Sequence, residues 1–236
     1  MRDNFFGDIG DFGKYGLLRA LSGLVPQRSK RLALGINWYF FPDTGVNYLD
    51  DSTLRERDPA LFSALYDAMK ASRRNVASVG SMGLFDPDTI YFDAPVPARL
   101  DQRQVWITEA SEKMQRCKLI FLDPDSGLTT GNMGSAKISS KHVYCDELMP
   151  FIARRQAVVV YHHMPRKSPV EEAALRVRAL REELGISRAW ALMHTSRLYF
   201  VLPGSHESLL RSRLDQFLAG PWGGANKCGF QELVVP

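Results

Sequence analysis

From Asp11 onward, apolar side chains recur at Tyr15, Leu18, Leu21 and Val25. That three-to-four-residue spacing predicts an amphipathic helix from Phe12 to about Leu24, capped by Asp11 and stopped by Pro26. The pattern then changes. Leu32 to Phe41 is apolar throughout and rich in aromatics, as a strand covered on both faces should be, and it is read as the first strand. Asp58-Pro59 opens a helix to about Ala71, behind a capping box at Thr53-x-x-Glu56. Val76–Val79 and Thr89–Phe92 read as short strands. Asp101-x-x-Gln104 opens a helix to Arg116, which leads into Lys118–Asp123, a buried strand ending in an acid.

The second half repeats the alternation. Ser140 begins a helix through about Arg155, and Ala157–Tyr161 is a buried strand ending in His162-His163. Ser168-Pro169-Val170-Glu171 starts a helix to Leu184 that Gly185 closes. Ala189–Met193 and Leu198–Leu202 are so close in sequence that they must pair antiparallel. A helix from Ser205 to Leu218 and an edge strand from Gly229 to Val235 complete the chain. The expectation is a single α/β domain over 1–236, a three-layer doubly wound Rossmann-like mixed sheet with a C-terminal antiparallel hairpin. Such sheets bind ligands beyond the carboxyl ends of their strands, where Asp123 and His162 both lie.

Composition narrows the class. The 236 residues are 45% hydrophobic and 24% charged, an ordinary globular mixture that excludes disordered and fibrous chains. No apolar run approaches the roughly 20 residues needed to cross a bilayer. The first ten residues carry acids and glycines where a secretory signal would carry a basic start and an apolar run. Cys117, Cys145 and Cys228 are far apart and odd in number, which fits a reducing, cytoplasmic compartment; Cys117 and Cys145 read as core residues. A net charge of +4 admits a nucleic-acid partner without requiring one. Oligomeric state is not readable.

Four segments carry candidate chemistry. Asn4–Tyr15 packs glycines, acids and aromatics before the first helix, with Asp11 and Lys14 able to present a charge pair at its start. Asp123-Pro124-Asp125-Ser126 begins a polar loop after a buried strand. Its carboxylates can accept hydrogen bonds from a ligand amino group or bind a divalent cation. In Tyr161–Arg166, His162 or His163 can serve as base or metal ligand, beside the cationic Arg166. In Gly220–Lys227, Trp222 can stack on a base and Lys227 can meet a phosphate, or Trp222 can anchor the terminus as a buried residue.

With these elements in place the chain resembles the single-domain bacterial ribosomal RNA adenine-N6 methyltransferases, a branch of the class I fold dependent on S-adenosyl-L-methionine (AdoMet). Their opening Phe-x-Gly-Asn-x-x-Asp-x-x-Lys-His segment is similar to Phe6-Gly7-Asp8-Ile9-Gly10-Asp11-Phe12-Gly13-Lys14-Tyr15, and their Asp-Pro-Pro-Tyr to Asp123-Pro124-Asp125-Ser126. The resemblance implies Asp123, Pro124 and Asp125 as catalytic residues, with Asp123 on the target amine. On this reading AdoMet would be held by Asp8, Asp11, Lys14, Tyr15 and Tyr39, and the two later polar segments would hold substrate through His162, His163, Arg166, Trp222 and Lys227. No Gly-x-Gly-x-Gly follows the first strand, where Asn37–Gly45 stands instead. Two further readings therefore stay open: a magnesium- or manganese-dependent phosphodiesterase using Asp8, Asp11, Asp123, Asp125, His162 and His163, and a non-catalytic nucleic-acid-binding module.

Overall fold

The computed structural model describes residues 8–40, 52–70, 76–130, 133, 139–165, 168–224 and 228–235. Among them the main-sheet strands are β1 (Leu34–Asn37), β2 (Ile90–Phe92), β3 (Leu119–Leu122), β6 (Ala157–His163), β7 (Trp190–His194), β8 (Arg197–Leu202) and β9 (Phe230–Leu233). They form one seven-stranded sheet in the order β2-β1-β3-β6-β8-β7-β9. β1, β2, β3 and β6 run parallel, whereas β8 lies antiparallel between β6 and β7. Two short strands, β4 (Gly127–Thr129) and β5 (His142–Tyr144), pair with each other outside this sheet.

Helices cover both faces, as the alternation of inward-facing residues demands. On one face α1 (Ile9–Ser22), α2 (Pro59–Lys70) and α6 (Glu207–Ala219) pack on Ile36, Phe121, Val159, Tyr161 and Tyr199. On the other, α3 (Leu100–Lys113), α4 (Cys145–Ala153) and α5 (Pro169–Leu184) pack on Ile120, Leu122, Val158, Val160 and Phe200. This is the expected Rossmann-like mixed sheet with its closing hairpin. No helix among the described residues is long and apolar enough to cross a membrane.

Several local expectations are corrected. Asp8, not Asp11, caps the first helix: its carboxylate accepts the Asp11 N–H at 2.8 Å, so α1 begins at Ile9. Val76–Ser81 is a 3-10 helix rather than a strand. The helix expected from Ser140 begins at Cys145, because the Glu147 carboxylate reaches back to the Tyr144 N–H at 2.9 Å and frees the residues before it for β5. The C-terminal helix is entered through a 3-10 turn over Gly204–His206. Arg103 and Glu147, both fully buried, pair at 2.6 Å and tie α3 to α4 beneath the sheet.

Candidate active site

The carboxyl ends of the parallel strands meet the start of α1, and a cavity of about 310 Å³ opens between them. Its walls are Asp8, Gly10, Asp11 and Lys14 from the α1 segment, Asp123–Ser126 from the loop after β3, Tyr161 and His163 from β6, and Arg197 from β8. Strand alternation explains the selection. Phe121 and Tyr161 face the α1 layer, so Asp123 and His163, two residues on, face it too. Arg197 arrives from the opposite direction, because an antiparallel strand begins at the edge where its parallel neighbour ends; its register partner on β6 is His163.

At the floor, Lys14 Nζ lies 2.8 Å from both Asp11 Oδ1 and Asp123 Oδ2, and all three side chains are almost wholly buried. Arg197 donates to Asp8 at 3.1 Å, and Tyr15 Oη lies 3.4 Å from the second oxygen of Asp11. Burial pushes the Asp11 carboxyl up to about 6, with Lys14 only partly offsetting it and Asp8 and Asp123 adding to the rise. Burial alone would press the Lys14 ammonium down, but Asp11 and Asp123 reverse this and hold it protonated. Burial, then Arg197, keeps His163 neutral at lower pH than a free imidazole.

Seven expected site residues thus converge: Asp8, Asp11, Lys14, Asp123, Pro124, Asp125 and His163. Tyr15 stands behind Asp11 in the core. Tyr39 does not reach the cavity: its backbone is left-handed (φ 46°), its N–H is taken by Asn37 Oδ1 at 3.1 Å, and its ring packs edge-on against Trp106 in the α3 layer. His162 likewise points away, as neighbours on a strand must. Its Nδ1 accepts the Leu128 N–H at 3.1 Å, and its Nε2 lies 3.2 Å from Glu172 Oε1. Burial, then Arg176, pushes its pKa down to about 4, so it buttresses the 123–128 loop as a neutral ring. Trp222 packs on Phe12 and Phe217 on the far side of α1, as a terminal anchor. Arg166 and Lys227 lie outside the described residues. Arg197 and Tyr161 were not anticipated as site residues, although the short hairpin turn at Thr195-Ser196 fixes Arg197 at the active edge.

The donor set of the phosphodiesterase reading is not assembled: among the described residues no group of three or more His, Cys, Asp or Glu is placed to hold a metal ion. Lys14 occupies the space between Asp11 and Asp123, and His162 faces the other layer. The same walls suit an organic cation. Four carboxylates stand against Lys14 and Arg197. This acidic wall is of the sign that suits the positively charged groups AdoMet carries. No family model, curated protein or solved structure matches the chain.

Proposed function

We propose that the chain is an AdoMet-dependent methyltransferase acting on the amine of a nucleic-acid base. The observation that carries this reading is the meeting, in one cavity, of the two segments on which the resemblance rests. The Asp8–Lys14 start of α1 and the Asp123-Pro124 strand end are joined through Lys14 across 109 residues of sequence.

Asp123, anchored by Lys14, presents a carboxylate that accepts a hydrogen bond from an amine and holds it against the cavity wall. The Pro124 ring locks its φ and stiffens the backbone that carries a second acceptor, the Pro124 carbonyl. Asp8, Asp11 and Asp125 place negative potential where a cationic ligand sits. When bound, AdoMet supplies an electrophilic methyl group. Arg197 and the net charge of +4 favour a polyanionic substrate. The wide spacing and odd number of Cys117, Cys145 and Cys228 fit a reducing cytoplasm.

Calorimetric titration with AdoMet and with its demethylated product tests the reading. Micromolar binding of AdoMet, together with methyl transfer to RNA or DNA that Asp123→Ala abolishes, is the expected result. No AdoMet binding by the folded chain would overturn it.

A further inference from the structure

A second cavity, of about 280 Å³, lies on the other side of α1 and shares no residue with the first. Val25, Pro26, Phe217 and Trp222 give it an apolar wall, with Arg28, Arg57 and Arg213 around it. The charge there is one-sided. Arg213 is buried, and its guanidinium donates to the backbone carbonyls of Leu21, at 2.6 Å, and Lys30. Arg28 donates to the side-chain carbonyl of Gln216. The acceptors of Arg213 and Arg28 are neutral. The carboxylate in the wall, Asp58, is committed elsewhere: one oxygen meets Arg19 at 3.2 Å and the other caps α2 through the Leu61 N–H at 3.0 Å. Burial and the neighbouring Arg28 both press the Arg213 pKa down, the mark of a cation that no acid offsets.

A guanidinium held in a partly apolar cavity without a carboxylate is costly, and an anion entering the cavity relieves that cost. We infer that this cavity is a binding site for a small organic oxyanion, a phosphate or carboxylate carried on a flat apolar body, with Arg213 and Arg28 on the oxyanion and Trp222 and Phe217 beside the body. The inference is independent of the methyltransferase reading, because it involves none of the residues of the first cavity.

The test is calorimetric titration of the full chain with phenyl phosphate, inorganic phosphate and benzyl alcohol. Phenyl phosphate is expected to bind one-to-one and at least tenfold more tightly than either half alone. Because Arg213 also closes the end of α1, the exposed Arg28 is the residue to change: Arg28→Gln should weaken phenyl phosphate about tenfold, as expected for one charge-assisted contact. Ala20→Glu, placing an acid in the same wall, should abolish binding. The absence of saturable binding, equal binding of inorganic phosphate (an adventitious ion only), or binding that both variants leave intact would overturn the inference.

Discussion

Replacing Lys14 by Met keeps the length and bulk of the side chain and removes only its charge. The consequence follows from the geometry at the cavity floor, where one ammonium sits 2.8 Å from each of two carboxylates and about 95% of its side chain is shielded from solvent. Without it, Asp11 and Asp123 are two buried anions facing each other. Breaking a buried pair by removing one partner costs about 3–5 kcal/mol. For a chain of this size each kcal/mol moves Tm by about 2–4 °C, so the expected drop is roughly 6–20 °C at pH 8. The variant has a partial escape: Asp11, already pushed up to about 6 by burial, will take a proton more readily still once the neighbouring cation is gone. Its deficit relative to the parent chain should therefore shrink as pH falls from 8 to 5.5. Urea denaturation of both proteins across that range measures it, and Lys14→Met/Asp123→Asn should recover part of the loss. A deficit below about 1 kcal/mol at pH 8, or one that is constant with pH, would refute the view that Lys14 neutralises a buried carboxylate pair.

Three further outcomes are expected. The folded pKa of Asp11 lies above its unfolded value, so its contribution to stability is complete below pH 3.8 and is lost as pH rises through about 6. Asp11→Asn should remove a slope on the order of 1 kcal/mol per pH unit over that window, read as the difference between the two urea-denaturation profiles. His194, stacked on Phe230 at 4.4 Å, behaves oppositely. Burial, then Arg197 and Arg57, lowers its pKa from 6.5 to about 3, so its contribution is present above pH 6.5 and is lost as pH falls; His194→Gln should be less acid-sensitive in thermal melts between pH 6.5 and 4. Gly127 has φ 105°, and a Cβ there would stand 2.6 Å from the His162 Cα, so Gly127→Ala should cost more than about 1 kcal/mol and weaken AdoMet binding by displacing the Asp123–Ser126 loop.

The elements that the sequence made legible are those whose signals are local. Ser168-Pro169 and Gly185 bracket α5 at the residues where the structure starts and closes it, and the apolar runs before Asp123 and His162 are β3 and β6. The site was legible where polar residues interrupt such runs, at Asp123 and at the glycine-rich approach to α1. Facing was harder to read. A strand buried on both sides shows no alternation, so nothing in Val-Val-Val-Tyr-His-His tells that His163 looks into the cavity and His162 into the opposite layer. Tyr39 escaped because a left-handed residue without glycine leaves no signature, and β4 and β5 because each is three residues long and finds its partner across a loop. Arg197 depended on a topological fact, the insertion of β8 next to β6, that a hairpin signal alone does not supply.

The closing of the first cavity by contacts across 109 and 189 residues has a consequence for biosynthesis. The helix bearing Asp8, Asp11 and Lys14 leaves the ribosome before Asp123 is made, and Asp123 before Arg197. During translation that helix waits without its counter-charges, and no competent pocket exists on the nascent chain until the reversed strand has been threaded into the middle of the sheet. A ligand of this pocket therefore recognises chains that have folded through β8, and its binding stabilises them by mass action.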